Sequence, residues 1–265
     1  MICDSRKPLI MGILNVTPDS FSDGGQFVTP NSAAAHALEM EQEGADLIDI
    51  GGESTRPNAE AVSAEEELKR VIPVIQALRD QIKIPISIDT TKSIVARAAL
   101  EAGAEIVNDV SAGEWDLDLL KTVVDAKAGY VLMHAQGNPR TMQRNPCYED
   151  VTEDVYQFLE KKLKSVEQAG IPFESMVIDM GFGFGKTMEH NLSLLKNVKR
   201  FNDLNRPILL GLSRKSFLRN LVNASSVEIA TANAHFFGSL QGASLWRVHD
   251  VSQAVATRKM LEALV

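Results

Sequence analysis

The sequence predicts an α/β protein, a single-domain (β/α)8 barrel of the TIM type that spans residues 1–265. Eight short apolar runs recur along the chain, and segments of helical period separate them. The length of 265 residues suits one such barrel, which typically takes about 250. Because no Pro/Ser-rich linker or block of charge divides the chain, we expect one domain. An open, doubly wound sheet is the main alternative.

The candidate strands are near-continuous apolar runs, which is typical of parallel strands that are covered on both faces. Their mean spacing of roughly 33 residues suits repeated βα units. In chain order they are LIMGILN (9–15), DLIDI (46–50), IPISID (84–89), EIVND (105–109), YVLMH (130–134), MVID (176–179), ILLG (208–211) and LWRV (245–248).

Helical segments lie between these runs and after the last one. Ser63 with Glu66 predicts a capping box at the start of one of them. Thr29 followed by Pro30 predicts an N-cap with proline in the first turn of another. The clearest helical segments are 32–44, 64–81, 93–103, 155–170 and 251–264.

A short signature occurs three times along the chain, as EGADLIDI (43–50), AGAEIVND (102–109) and QGASLWRV (241–248). In each copy we expect the glycine to end a helix in the left-handed conformation, with a strand following almost at once. This pattern is typical of the αβ turns of a repeated βαβ array.

Composition and charge exclude several classes of protein. The net charge is −8, whereas a nucleic-acid binder needs a basic surface to neutralise phosphates. No apolar run approaches the ~18 residues of a membrane span. Two isolated cysteines, Cys3 and Cys147, predict free thiols in a reducing compartment. As the first residues also lack a signal-peptide pattern, we expect a cytoplasmic protein with no nucleic-acid or membrane partner.

Polar side chains follow every predicted strand. In a barrel these positions meet at the C-terminal rim, where active sites are built from residues of different strands. One such residue alone could be a cap or a loop contact, but polar residues at all eight strand ends together predict a site. They are Asn15, Asp49, Asp89, Asn108, Asp109, His134, Asp179, Ser213, Arg214, Lys215, Arg247 and His249.

Two long loops and a few cations indicate an anionic ligand. The loops after the first two strands, 16–30 and 51–62, are longer than the usual length of about 2–6 residues, which predicts lids or binding loops. Arg56 lies in the second loop, and Arg247 stands in the last strand. Cations near the last strands of a barrel suit a phosphate group. A surface salt bridge is the alternative for each arginine, but Arg247 stands inside an apolar run.

The stretch DMGFGFGK (179–186) is similar to two nucleotide-binding loops and matches neither. A phosphate loop of the form G-x-x-x-x-G-K-[ST] needs a glycine where Met180 stands. The dinucleotide fingerprint G-x-G-x-x-G needs a different spacing. The three glycines therefore call for another explanation.

Several motifs of the chain resemble, in order and spacing, those of the dihydropteroate synthases of folate biosynthesis. They are MGILNVTPDSFSDGG (11–25), IDIGGESTRP (48–57), SIDT (87–90), IVNDVSAG (106–113), LMHAQGNPRTMQ (132–143), DMGFGFGK (179–186), GLSRKSF (211–217) and RVHDV (247–251). The resemblance spans nearly the whole chain and implies the barrel fold. It also implies the condensation of 6-hydroxymethyl-7,8-dihydropterin diphosphate with p-aminobenzoate to 7,8-dihydropteroate and pyrophosphate, with Mg²⁺ as the cofactor.

The resemblance implies a pterin pocket deep in the barrel. Asp179 would accept the two adjacent N–H donors of the pterin, and a buried carboxylate selects such paired donors because its desolvation is otherwise costly. Asp89 and Asn108 would bond other ring nitrogens. Lys215 would donate to the ring carbonyl and to a ring nitrogen.

The walls of the two substrate pockets are implied in the same way. Met133 and Phe184 would pack against the pterin ring, and the DMGFGFGK stretch would form the floor and wall of this pocket rather than a phosphate loop. Arg214 would lie beside the p-aminobenzoate as a partner for its carboxylate. The p-aminobenzoate pocket would be shaped by Thr55, Pro57, Phe184, Lys215 and Ser216.

The diphosphate would be held by Asn15, Arg56, Arg247 and His249, and Asn15 would also contact Mg²⁺. A hard cation that takes most of its ligands from phosphate and water needs no carboxylate cage. The implied mechanism is an SN1-like displacement at the pterin CH₂–O carbon, in which Asp89 stabilises the cation. The implied catalytic set is Asp89, Lys215, Arg247 and His249.

Two residues depart from the family pattern, and two other functions stay open. Met180 stands where proline is usual, and Ala135 replaces a bulkier residue after His134. The other functions are a pterin-dependent methyltransferase on a related barrel and a noncatalytic pterin-binding paralogue.

The resemblance also implies a homodimer through late helices, in which the small residues of 230–243 would pack against a partner. An ordinary helix-on-barrel contact would suit that stretch equally well.

Overall fold

The computed structural model describes residues 4–17, 29–54, 61–137 and 141–265. Within them, eight parallel strands pair in chain order, and the eighth pairs with the first to close a barrel. The predicted (β/α)8 barrel is therefore confirmed, and the open-sheet alternative is wrong. The strands are β1 (Leu9–Asn15), β2 (Leu47–Gly51), β3 (Ile86–Asp89), β4 (Ile106–Asp109), β5 (Gly129–Met133), β6 (Met176–Asp179), β7 (Ile208–Leu210) and β8 (Leu245–Val248).

Helices follow the strands around the outside of the barrel. The five predicted segments are helical, and α5 begins earlier than predicted because the Asp150 side chain accepts from the backbone N–H groups of Thr152 and Glu153. In the described part of the chain the α-helices are α1 (Pro30–Glu43), α2 (Ala64–Leu78), α3 (Ser93–Ala102), α4 (Leu119–Ala126), α5 (Val151–Gln168), α6 (Met188–Lys196), α7 (Ser216–Leu221), α8 (Val227–Leu240) and α9 (Val251–Leu264).

The predicted cap of α1 forms completely, whereas the predicted capping box of α2 forms only one of its two hydrogen bonds. Thr29 caps α1, with Pro30 in the first turn and Ser32 completing a capping box. At α2, the Ser63 hydroxyl accepts from the backbone N–H of Glu66, as predicted. The Glu66 carboxylate does not follow the prediction, because it accepts a hydrogen bond from Arg70 Nε over 3.1 Å instead.

The three glycines of the repeated signature have positive φ angles, as predicted for the left-handed conformation. Gly44, Gly103 and Gly242 have φ angles of 107°, 127° and 114°, which side chains rarely allow. Each lies between the end of a helix and the next strand, so the chain can turn back to the barrel within a few residues.

The barrel interior changes from apolar to polar along its axis. Towards the N-terminal ends of the strands, an apolar cluster fills it with Met11, Leu47, Val131, Leu209 and Leu245. Asp49 follows Leu47 by two residues on β2, and Arg247 follows Leu245 by two residues on β8. Because strand residues alternate sides, both polar side chains point into the same interior. The apolar cluster thus forms the floor of a polar chamber at the C-terminal end. No helix within the described ranges is long and apolar enough to cross a membrane.

Candidate active site

Arg247 lies at the centre of the polar chamber, held by two aspartates from other strands. Its Nε donates to Asp49 Oδ2 over 2.6 Å, and its Nη2 donates to Asp89 Oδ2 over 2.7 Å. Asp49 is fully buried and Asp89 nearly so. Buried charges are stable only when they are paired, so β2, β3 and β8 must come together for this cluster to form.

Asp49 is a site residue to which the sequence analysis gave no role. Besides Arg247, its Oδ2 accepts from Asn108 Nδ2 over 2.9 Å, so it joins the ends of three strands. A sequence signal did exist: Asp49 interrupts an otherwise apolar strand that is buried along its whole length. A buried carboxylate of this kind requires a cationic partner, and Arg247 interrupts another apolar strand in the same way.

The surroundings of Asp89 affect its proton affinity. Burial raises the pKa of Asp89 to about 7, with Arg247 opposing the shift and the charges of Asp49 and Glu67 adding to it. A carboxylate with such a pKa changes its charge near neutral pH. The predicted catalytic residue Asp89 also lies in direct contact with Arg247, a residue predicted to bind the diphosphate.

Asp179 lies on the opposite part of the chamber wall, at the end of β6 and beside Met133 in the strand register. Its Oδ1 accepts from the backbone N–H of Gly181 over 2.7 Å, which fixes the carboxylate plane. Burial raises the pKa of Asp179. Its Oδ2 faces Gly211, where a Cβ would lie only 3.6 Å away, so the lack of a side chain there leaves space in front of the carboxylate.

Phe184 and Lys215 lie side by side above Asp179. The Lys215 ammonium is 4.3 Å from the centre of the Phe184 ring, which is a cation–π distance. Phe184 and Met133 belong to a small buried apolar cluster against which Ala135 packs. The chamber therefore has an apolar wall beside a cation, which suits a flat heterocycle with polar edges.

His249 and Asn15 lie at the rim of the barrel. His249 Nδ1 is 2.9 Å from the Ser213 hydroxyl, and this hydroxyl also accepts from the His249 backbone N–H over 3.2 Å. Asn15 ends β1 opposite Gly51. The amide oxygen of Asn15 is the type of ligand that Mg²⁺ accepts, and one protein ligand is enough when phosphate and water supply the others. Among the residues described, no group of three His, Cys, Asp or Glu side chains could hold a metal ion.

Some predicted residues lie elsewhere or outside the described residues. Arg214 has a positive φ of 56° and bonds through Nε to Glu228 of α8, so its side chain is held at the helix layer. Ser216 is the exposed first residue of α7, next to Lys215. Thr55, Arg56 and Pro57 lie outside the described residues, as does much of the two long loops.

Met180, which departs from the family pattern, is not part of the chamber. It follows Asp179 directly, so its side chain points to the other side of the wall, where it is fully buried in the core between barrel and helices. Ile178 and Phe182 share that core. A proline at this position would therefore alter the packing layer rather than the lining of the chamber.

Comparison with known proteins identifies the family. The profile of the family described as pterin binding enzyme matches residues 11–249. A dihydropteroate synthase of Haemophilus influenzae is 45% identical over 261 residues, which cover 98% of this chain and 94% of that protein. The chain therefore belongs to the pterin-binding enzyme family. At this identity and coverage, its relatives within the family are dihydropteroate synthases.

Solved structures give the same result. A Xanthomonas albilineans dihydropteroate synthase with 4-aminobenzoic acid superposes with a TM-score of 0.91 at 45% identity, covering 98% of this chain and 94% of that one. The enzyme of the same organism in complex with 7,8-dihydropteroate superposes with a TM-score of 0.89 at 42% identity, with the same coverage. The resemblance found in the sequence motifs is thus confirmed over nearly the full length.

Proposed function

We propose that the chain condenses 6-hydroxymethyl-7,8-dihydropterin diphosphate with p-aminobenzoate, giving 7,8-dihydropteroate and pyrophosphate. The observation that carries this proposal is the polar layer of the buried Asp49, Asp89, Asn108 and Asp179 with the partly buried Arg247, above an apolar floor. It combines carboxylates for the donors of a pterin with a cation for a leaving diphosphate. The relative from Xanthomonas albilineans that binds 7,8-dihydropteroate supports the same reaction.

The pterin would lie across the chamber between Asp89 and Asp179. Asp179 accepts the two adjacent N–H donors of the pterin. The backbone N–H of Gly181 uses one lone pair of Asp179 Oδ1 and so holds the carboxylate in place, and space remains in front of Oδ2. Asn108 bonds another ring nitrogen, and Lys215 donates to the ring carbonyl. The apolar wall that contains Met133 and Phe184 covers the ring, and this burial strengthens the polar contacts at its edge.

The diphosphate would lie at the rim, against Arg247, His249, Asn15 and Arg56. Asp49 and Asp89 engage Nε and Nη2 of Arg247, so Nη1 is the guanidinium nitrogen that neither aspartate contacts. Asn15 would hold Mg²⁺ together with the diphosphate and water, and the ion would supply positive charge to the leaving group. The p-aminobenzoate ring lies against Phe184 and Lys215. We propose that Thr55, Pro57 and Ser216 complete its pocket, whereas the side chain of Arg214 is held by Glu228 at the helix layer.

The bond between the pterin methylene carbon and the diphosphate oxygen breaks first, and the electron pair leaves with pyrophosphate. Ionised Asp89 stabilises the positive charge that the dihydropterin acquires, while Arg247 and His249 stabilise the leaving group. The amine nitrogen of p-aminobenzoate then attacks the carbon and loses a proton to the medium. Lys215 holds the ring in place during both steps. No residue forms a covalent intermediate in this scheme.

Pyrophosphate release tests the function. We expect release only when pterin diphosphate, p-aminobenzoate and Mg²⁺ are all present. A noncatalytic paralogue would bind the pterin without releasing pyrophosphate. A pterin-dependent methyltransferase has no diphosphate leaving group, so it would also release no pyrophosphate, and the absence of release with all three components present would contradict the proposal.

Arg247→Ala tests the diphosphate site. We expect pyrophosphate release to fall by about 100-fold or more, because the cation that meets the leaving group is lost. Pterin affinity, measured by calorimetry, should change far less, since Asp179 and Asn108 remain. Turnover near the wild-type rate would show that Arg247 does not bind the diphosphate.

The assembly is proposed to be a homodimer through α8, and the location to be the cytoplasm. Ile229, Phe237 and Leu240 are 61%, 45% and 53% exposed, and their spacing places them along one side of α8. Apolar side chains clustered in this way are typical of an interaction surface. The exposed free thiol of Cys147 suits a reducing compartment.

A further inference from the structure

The glycine-rich turn after β6, residues 180–185, is packed tightly against the segment that follows β5. Gly181, Gly183 and Gly185 have φ angles of 68°, 82° and 63°. A Cβ on Gly181 would lie 1.8 Å from the backbone oxygen of His134, and one on Gly185 would lie 2.5 Å from that of Gln136. No side chain fits at either position, so the glycines serve a close approach of two backbones.

Lys186 ends this turn with its ammonium inside the protein rather than in solvent. Only 3% of Lys186 is exposed. Its Nζ donates to the backbone oxygens of Gly181 and Phe184 over 2.9 and 3.0 Å, and to His134 Nδ1 over 2.9 Å. Burial lowers the pKa of Lys186 to about 7, and in the charged form these acceptors take up its three N–H groups, with the backbone oxygen of His134 a further neighbour at 3.4 Å. Lys186 therefore has no donor left for a phosphate.

His134 can accept from Lys186 only as a neutral ring. Burial lowers its pKa to about 2, and the charge of Lys186 adds to the effect. The imidazole therefore carries its proton on Nε2 and offers Nδ1 as an acceptor. The Phe158 and His134 rings are perpendicular, with their centroids 4.8 Å apart, and this contact limits rotation of the imidazole.

Two lining groups of the chamber depend on the turn that Lys186 holds. The backbone N–H of Gly181 donates to Asp179 Oδ1 over 2.7 Å, and the backbone oxygen of the same residue is bound by Lys186. Phe184 is bound by Lys186 through its oxygen, while its ring contacts Lys215. The buried Lys186 ammonium thus connects the Asp179 carboxylate, which is proposed to bind the pterin, to the aromatic wall at Phe184.

We infer that Lys186 is a positioning residue for both substrates, with His134 as its neutral partner: the pair fixes the turn so that Asp179 meets the pterin edge and Phe184 separates the pterin from p-aminobenzoate. This inference rests on the proposed function. It also explains why the lysine of DMGFGFGK is present without a phosphate loop. The ammonium of Lys186 donates to carbonyl oxygens of its own turn instead of to a phosphate.

Lys186→Met tests the inference, because methionine keeps much of the chain length and removes all three donors. We expect the dissociation constant of pterin-6-carboxylate, measured by calorimetry, and the KM for p-aminobenzoate each to rise about 10-fold or more. The control is Tyr130→Phe on β5, which removes a buried hydrogen bond to Asp109 on the far side of the barrel wall. It should lower the melting temperature and leave both constants near wild type.

His134→Leu and His134→Asn keep the test decisive if Lys186→Met does not fold. Leucine removes the acceptor, whereas asparagine places Oδ1 near the position of Nδ1 and should restore most of the affinity. The inference is wrong if Lys186→Met leaves both constants unchanged. It is also wrong if leucine and asparagine behave alike, or if Tyr130→Phe changes the constants as much. Pterin affinity is measured without turnover, so a wild-type protein that releases no pyrophosphate would contradict the function, while the role of Lys186 in pterin binding would still be tested by calorimetry.

Discussion

Arg247 shows how single residues set the chemistry of the chamber. Its guanidinium has two buried carboxylates as neighbours, one from β2 and one from β3. Asp49 serves Arg247 and Asn108 at once, while Asp89 both pairs with Arg247 and faces the space proposed for the pterin. The charge state of Asp89 therefore depends on Asp49, although the two do not form a hydrogen bond with each other.

Asp49→Asn tests this dependence through the pH profile of kcat/KM for pterin diphosphate. In the wild type we expect activity to rise with pH through about 7, because Asp89 acts in its ionised form. Asparagine removes a charge that raises the pKa of Asp89, so the rising limb should move to lower pH. The plateau should fall by about 10- to 100-fold, since Arg247 loses one of its two holders.

Ser87→Ala is the matched control for that experiment. Ser87 lies beside Asp49 in the strand register, and its hydroxyl has no hydrogen-bond partner among the described residues. Its removal changes no charge, so the rising limb should stay at the wild-type pH. A limb that does not move in Asp49→Asn would show that Asp49 has no influence on Asp89.

Elements could be predicted from the sequence far better than contacts between them. Arg247 and Asp179 could be placed at strand ends because a barrel brings all such ends to one rim. The Asp49–Arg247 and His134–Lys186 contacts could not, since each joins distant parts of the chain, and the contact forms only when strand register and rotamers are fixed. Arg214 shows the same limit, because its left-handed backbone and its contact with Glu228 direct it to α8.

His235 on α8 provides a test of how an outer helix is attached to the barrel. Its Nε2 is 3.1 Å from the backbone oxygen of Leu210 on β7, and its ring stacks on Trp246 of β8. Burial lowers the pKa of His235 from 6.5 to about 4. Between those values the unfolded chain binds the proton and the folded one does not, so stability is lost as pH falls below 6.5.

We expect His235→Gln to weaken this pH dependence. Its contribution at pH 5 is about 2 kcal/mol of unfolding free energy, from about 1.4 kcal/mol per pH unit below the ordinary pKa. Urea denaturation at pH 8 and pH 5 measures it. The loss between the two pH values should be smaller in the variant by about that amount. An equal loss in both proteins would mean that His235 is protonated in the fold.

At the scale of the whole molecule, the closed barrel of the described strands has no free sheet edge, so association through these strands is blocked and the outer helices offer a surface instead. Ile229, Phe237 and Leu240 of α8 are exposed together, and Leu221 of the neighbouring α7 is 56% exposed. The sequence predicted this region from its small residues. The structure instead directs attention to the large apolar side chains between them, which bury more area on contact.

Phe237→Glu tests the proposed homodimer. We expect the wild type to have twice the chain mass of 29.0 kDa in light scattering, and the variant to have 29.0 kDa. A carboxylate in an apolar interface would be desolvated without a partner. Leu117→Glu, at an 88% exposed position before α4, should leave the mass unchanged. A wild type of 29.0 kDa would contradict the proposal.

The opposite directions of Asp179 and Met180 have a consequence for inhibitor selectivity. Adjacent residues at one strand end face different compartments, so the Met180 side chain packs in the core between barrel and helices while the Asp179 side chain faces the chamber. A compound that fills the chamber contacts Asp179 and not Met180. A proline in place of Met180 would therefore give such a compound no direct contact by which to distinguish the two proteins.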